Sequence, residues 1–198
     1  IVPSPQTRLL RRLMSVAQIT ASHIVHLYML ALPDYFGYPG FLPMMSEFKQ
    51  ETGDFLKMKN AMNRVGEVVG GRALHPISMV VGGFTRLPSR KELEGLAADI
   101  EKALPLARRT FQMISGLHFP GLEPDTEYMA LRKEGEFAIN EGDLASSRGL
   151  EADIHAYRSH FHEKEEPGAM AKKSFTREGT PFMVGALARM NIKFDQYH

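Results

Sequence analysis

Apolar positions along the first third of the chain recur at alternating spacings of three and four. Leu9, Leu13, Val16, Thr20, Ile24, Leu27 and Ala31 form the stripe of a long buried helix. Further apolar residues at Leu10, Met14, Ala17, Ala21, Val25 and Tyr28 widen the arc, as expected of a central helix touched from several sides. Thr7 is the expected N-cap and Pro33 the expected stop. A connector rich in Pro, Gly and rings follows, "PDYFGYPGF", read as an ordered loop with its aromatics packed down.

The pattern predicts a second helix from about Ser46 to Val69, turning Phe48, Phe55, Met58, Met62, Val65 and Val69 inward and ending at Gly70-Gly71. Ser89 and Glu92 have the spacing of a capping box. They open a third helix with Leu93, Leu96, Ile100, Leu104, Phe111 and Ile114 on its apolar side, which Pro105 is expected to kink or divide.

After "HFPGLEPD" the texture changes. Short apolar runs, "EYMALRK", "EFAIN" and "DIHAYRSHF", alternate with Gly and charge and predict short strands, with "NEGD" as a turn. "PFMVGALARMNIKF" is either a helix broken at Gly185 or a strand leading into one. The expected fold is therefore mainly α with minor β (α+β). Residues 1–120 form a helical-bundle portion carrying a Gly-Gly/His-Pro loop, and residues 121–198 a short-strand, irregular region returning to the helical core.

Composition narrows the functional classes. Hydrophobic residues at 43% and charged residues at 24% suit a globular chain of 198 residues, and a net charge of +1 gives no electrostatic case for nucleic acid. The basic cluster "RLLRR" is too short to change that. Zero cysteines exclude disulfides, thiolate nucleophiles and thiolate-ligated metal within these residues. Ser22, His23 and His26 interrupt the most apolar helix, so no membrane span is expected. The opening "IVPSPQ", without Met, is expected of an internal piece of a longer protein.

Several residues have the right chemistry for a site. His23 and His26, three apart on a helix, could converge on a metal, or could equally hydrogen-bond across a bundle. His160 and His162 would share one face of a strand, with His155 joining them across a bulge, which makes a zinc hydrolase one reading. Glu163, Glu165 and Glu166 read as a solvated acidic run rather than a general acid and base. The stretch "VGEVVGGRALHPISMVVGGFTRLPS" has neither dinucleotide-binding nor P-loop spacing. Its glycines permit close backbone approach, and Pro76 is expected to hold His75 extended. Arg72 and His75 on this loop could point donors at a cofactor or partner, and packing is the plainer alternative.

"NRVGEVVGGRALHPISMVVGGFTRLP", "VGALARMN" and "SHIVHLYMLALPDY" together resemble the large subunit of nickel-iron hydrogenases, in particular the soluble cytoplasmic multimeric class linked to F420, NAD(P) or a heterodisulfide-type acceptor. The resemblance implies a helical core, a nickel-iron centre in the full-length parent, and an iron-sulfur small subunit with further electron-transfer subunits as partners. The family holds its metals with two cysteine pairs, and neither motif occurs here. The chain is thus expected to be an inactive internal fragment with no cofactor of its own, no catalytic residue and no metal ligand.

By the same resemblance Arg64, Glu67, Arg72, His75 and Pro76 belong to a block packed near the metal centre and facing the small subunit, and Arg189 is a structural partner in that core. "GAMAKKS" departs from the family by placing Ala169 where a serine is common, which leaves Lys172 and Lys173 without an assigned role. The competing readings are a non-catalytic helical interaction module and a related respiratory-complex subunit without nickel. Exposed apolar faces, first of all on the first two helices, are expected to permit self-association.

Overall fold

A computed structural model describes residues 2–122 and 125–194. It divides into two compact units, Ile1–Phe119 and Pro120–His198.

The first unit is helical. Helix α1, Pro5–Val25, starts at Ser4, not at the expected Thr7. The Ser4 hydroxyl accepts the Thr7 N–H at 3.2 Å, and Pro5 occupies the first turn, where its missing N–H costs nothing. The chain stays helical past Val25 as a π-helical segment, His26–Ala31, and then α2, Leu32–Phe36. Pro33 therefore does not stop the helix. The turns before it widen, with the Leu32 N–H reaching back five residues to the Leu27 carbonyl, and the proline enters a fresh first turn. This continuous Pro5–Phe36 stretch contains an 18-residue window of mean hydropathy 1.3, long and apolar enough to cross a membrane by length and composition. Ser22, His23 and His26 interrupt the run without charge, so the threshold is met in length and composition, as it is by core helices that cross no membrane.

Helix α3 spans Phe41–Met45 and α4 spans Lys49–Gly70. The hairpin strands β1, Met79–Val80, and β2, Gly83–Phe84, precede α5, Arg90–Ser115. Helix α4 is central, packing on α1 and on α5. Leu10, Met14 and Ala17 of α1, Val65 and Val69 of α4 and Leu96 of α5 form one core, against which Phe84 anchors the hairpin. The buried stripe of α1 is thus turned one residue from the expected one, leaving Leu9 65% exposed. Tyr28, Leu32, Met44, Phe55 and Met58 form a second core, with Phe36 stacked on Phe48 at 4.5 Å and Phe41 edge-on to Phe55 at 5.2 Å. The rings of the connector do pack down, though on helical turns instead of a loop.

Helix α5 runs unbroken through Pro105. The proline and Glu101, whose carbonyl loses its donor, both lie on the exposed side, where water can serve that carbonyl. Leu104 and Phe111 also face outward, whereas Thr110 turns in and meets the Tyr28 hydroxyl at 2.6 Å. Beside them Arg109 clasps the buried Asp54 carboxylate through Nε at 3.0 Å and Nη2 at 2.8 Å. The α5 cap has both reciprocal bonds: the Ser89 N–H donates to Glu92 at 2.7 Å and the Glu92 N–H to Ser89 Oγ at 3.3 Å.

The second unit holds a four-stranded sheet ordered β5-β4-β3-β8, from Glu127–Arg132 (β3), Asp143–Ser146 (β4), Glu151–Ala152 (β5) and Phe182–Met183 (β8). Only the β3–β8 pairing is parallel. A separate hairpin joins β6, Phe161–Lys164, to β7, Lys173–Thr176. The run "DIHAYRSHF", expected as a strand, is a 3-10 helix over Ile154–Ser159, because Asp153 accepts the His155 N–H at 2.8 Å and turns the backbone. Gly185 leads into α6, Ala186–Lys193. Lys193 is 1% exposed, its Nζ donating to the Ala138 carbonyl and lying 4.2 Å from the Phe137 ring centre. Burial, aided by Arg189, pulls its pKa down to about 8.

Two glycines of α4 give opposite expectations. A Cβ at Gly53 meets open space, so Gly53→Ala is expected to stabilise the chain by about 1 kcal/mol, the difference in helix propensity. A Cβ at Gly70 lies 2.8 Å from Met14 Cε and 2.9 Å from Pro76 Cβ. Gly70→Ala is expected to cost about 1–3 kcal/mol by overpacking, with both changes read from urea unfolding midpoints.

Bonds from the Ser89 backbone and hydroxyl, with Arg86, lower the Glu92 pKa from 4.5 to about 2. The folded state holds its proton less tightly than the unfolded chain, so the stabilisation is full above about pH 4.5 and fades as pH falls toward 2. Melting curves should fall more steeply over that window for the wild type than for Glu92→Gln.

Candidate functional site

Helix α4 ends at Gly70, and Gly71, at φ 86°, reverses the chain. The Ile77 and Ser78 N–H groups then return to the Gly70 carbonyl at 2.8 and 3.0 Å, closing residues 71–77 into a loop on the helix end. Pro76 sits against Gly70, and a Cβ at Gly66 would lie 2.9 Å from the Ala73 carbonyl oxygen. The two glycines, one helical turn apart, leave the groove in which the loop lies.

Arg72 Nε donates to the His75 carbonyl at 2.6 Å, so this cation braces its own loop. His75 has φ 52°, the positive-φ non-glycine residue among those described, and its ring is exposed. The expectation that Pro76 would hold it extended is overturned: closing a loop between Gly71 and Ile77 demands a second reversal, and tertiary closure outweighs the local preference. Arg64 reaches across to Asp99 of α5 at 3.2 Å, and Glu67 lies exposed on α4. Behind the loop a cavity of about 410 Å³ is lined by Met14, Gln18, Lys59, Met62, Asn63 and His75. Arg11 of α1 donates to the Val80 carbonyl at 3.0 Å, tying the hairpin to the bundle.

What this region presents outward is apolar. Leu74, Ile77, Met79 and Val80 are exposed, and Val81 at the hairpin tip is 86% exposed. On the helices Leu9, Leu30, Leu56 and Phe111 are also exposed, so bare apolar side chains are shared between helices and loop.

The other candidates scatter. His23 and His26 fall on successive turns where α1 gives way to the π-helical segment, and both are exposed. His155 lies on the 3-10 helix, His160 caps its end, and His162 is on β6 stacked 5.7 Å from Phe175. Among the described residues no three His, Asp or Glu side chains gather to hold a metal. Lys172 and Lys173 pair with Glu165 and Glu166 at 3.1 and 2.6 Å, so that acidic run is neutralised locally. Arg189 lies on α6 of the second unit, where it lines a cavity with Met129, Leu144 and Phe182. Sequence reading missed the Tyr28–Thr110 and Asp54–Arg109 pairs, whose partners lie 82 and 55 positions apart.

Nickel held beside iron in a low-potential centre calls for soft thiolate donors. With zero cysteines in the sequence, hence no thiolate, and no cluster of three His, Asp or Glu among the described residues, the residues present do not fit such a centre.

No family model matches the chain. It is 36% identical to sulfhydrogenase 1 subunit alpha of Pyrococcus furiosus over 191 residues, covering 96% of this chain and 44% of that protein. It is 33% identical to sulfhydrogenase 2 subunit alpha of the same organism, covering 93% of this chain and 42% of that protein. The fold matches a solved NAD+-reducing NiFe hydrogenase in the H2-reduced state with a TM-score of 0.86 and 19% identity, over 96% of this chain and 48% of that one. Over nearly its whole length the chain is therefore a homologue of the NiFe hydrogenase large (alpha) subunits, and it spans a little under half the length of those relatives.

Proposed function

We propose that this chain is part of a cytoplasmic NiFe hydrogenase large subunit, whose full-length parent oxidises dihydrogen reversibly and passes the electrons to an iron-sulfur small subunit. The observation that carries the reading is 36% identity sustained across 96% of the chain. Cysteine-bearing segments outside these residues supply the metal ligands. The part described here supplies shape: a three-helix platform and the closed Gly-Gly/His-Pro loop.

Within that reading the loop and hairpin form the docking face for the iron-sulfur subunit. The donors of the loop are turned inward, with Arg72 on the His75 carbonyl, while Leu74, Ile77 and Val81 stand bare. Apolar residues presented on a rigid, internally bonded loop bury area on docking at little entropic cost. Helix α1 then serves as a packing element for α4, its buried stripe committed to that contact, and not as a membrane anchor. The rival reading as an interaction module without redox parentage keeps the same docking face and differs in the identity of the partner.

Two measurements test the proposal. An iron-sulfur small subunit co-expressed with a tagged form of this chain should co-purify with it. Ile77→Asp combined with Val81→Asp should weaken that capture about tenfold or more, the loss of two apolar anchors, with an unchanged melting curve. Capture equal to the wild type would remove the docking assignment. Washed, tag-free chain from nickel-supplemented cells should carry far less than one nickel per molecule by elemental analysis, and a stoichiometric content would overturn the placement of the ligands outside it.

A further inference from the structure

Helices α4 and α5 pack antiparallel: Arg109, late on α5, reaches Asp54 near the start of α4, while Asp99, earlier on α5, meets Arg64 farther along α4. On the outer side of this contact runs a groove of about 530 Å³. Its floor is apolar, from Ala61 of α4 and Ala103 and Leu106 of α5. Its charged rim is unbalanced. Lys57 and Arg64 of α4 and Lys102 of α5 line it against the single carboxylate of Asp99. Arg64 and Lys102 divide that carboxylate, at 3.2 and 3.9 Å, and the Lys57 ammonium group has no ion-pair or hydrogen-bond partner among the described residues. Glu67 and Glu101, the acids nearest in sequence to Arg64 and Lys102, are exposed and lie outside the lining.

We propose that this groove docks an acidic amphipathic helix of a partner protein, with two carboxylates seven positions apart and apolar side chains between them. Lys57 and Arg64, themselves seven apart, are separated by about 10 Å along α4, more than a single carboxylate or phosphate group can bridge. Acids at i and i+7 of a docked helix have the same separation. The residues at i+3 and i+4 then share their face and fall on the Ala61, Ala103 and Leu106 floor. Lys102 stands between the two ends, since the Arg64–Asp99 pairing of antiparallel helices sets it across from Ala61. An apolar helix would cover the floor and leave the surplus cations unanswered, whereas an acidic one answers them and is drawn in by their field. The long lysine stems keep the floor partly covered until then, with their charged heads in water. The inference stands on the first unit alone and does not rest on the hydrogenase reading.

The probe is a fluorescein-labelled helical peptide of about five turns, built of alanine, leucine and glutamine with two glutamates seven positions apart, and titrated with the full chain by fluorescence anisotropy. It should bind saturably, with amide NMR shifts centred on Lys57, Ala61 and Ala103. The same peptide with glutamine at both acidic positions should bind about tenfold more weakly, as expected for two lost exposed ion pairs. Lys57→Glu should weaken the glutamate peptide by at least that factor and restore binding to a peptide with lysine in place of the matching glutamate. Because Lys57 is exposed and unpartnered among the described residues, the melting curve of this variant should match the wild type. Lys91→Glu makes the same charge change at an exposed position of α5 outside the groove, and should leave affinity within about twofold, the distance being screened by salt. Absence of saturable binding at millimolar concentration, equal affinity for the two peptides, or equal losses from Lys57→Glu and Lys91→Glu would each overturn the proposal. So would displacement of the peptide by millimolar inorganic phosphate beyond that caused by sodium chloride of equal ionic strength, which would make the occupant a small anion.

Discussion

The first unit depends on how closely other backbone and side chains can approach the end of α4. At Gly70 a methyl of Met14 from α1 and the ring of Pro76 from the loop both occupy space that a side chain would take. That approach sets the depth at which α1 seats, hence which of its apolar residues are covered, and it sets where the loop lies. Interiors packed at crystal-like density do not absorb an extra methyl group at such a point without displacement. Once the loop is down, the Gly70 carbonyl takes two N–H groups, and the helix end has no orphan acceptor at that residue.

Farther along, polar pairs take over from close packing. The π-helical segment places Tyr28 at 1% exposure, where its hydroxyl meets Thr110, and the nearby Asp54 carboxylate, buried, is matched by both arms of Arg109. A buried carboxylate is tolerated only with such geometry. These pairs tie the π-helical segment and α4 to α5 at a level where Leu104 and Phe111 of the expected stripe face outward. In the second unit Lys193 has a comparable place: its stem fills the interior and its ammonium group ends on the Ala138 carbonyl and the Phe137 ring.

The proposed function separates metal ligation from the rest of the structure. Metal ligation needs thiolates, and these residues have none. On the proposed reading, what these residues contribute instead is a rigid bundle, loop and hairpin with exposed apolar side chains. Arg64 and Arg72, singled out with the loop, are engaged within the unit, on Asp99 and on the His75 carbonyl. They work here as braces.

Much of the fold was legible. Heptad-like spacing, the Ser89–Glu92 box and the Gly70-Gly71 stop located the long helices, and turn-rich composition marked the strand region. Which face of each helix is buried was not legible where apolar residues surround the helix: Leu9 and Leu10 are equivalent in periodicity, and only the partner across the interface chose Leu10. Pro33 and Pro105 read as breaks because local sterics disfavour them, yet widened turns and solvent-side placement carried the helices through. His75 followed the same rule, its backbone decided by closure of the loop rather than by the proline after it. Of the candidate site, the sequence by itself determined the absence of thiolate ligands and the kinship with hydrogenase large subunits, since both depend only on residue identity and order. The tertiary structure alone decided that the histidines lie apart, that Tyr28 meets Thr110 and Asp54 meets Arg109, and that Lys57, Arg64 and Lys102 line one groove, because those facts depend on contacts between residues far apart in the chain.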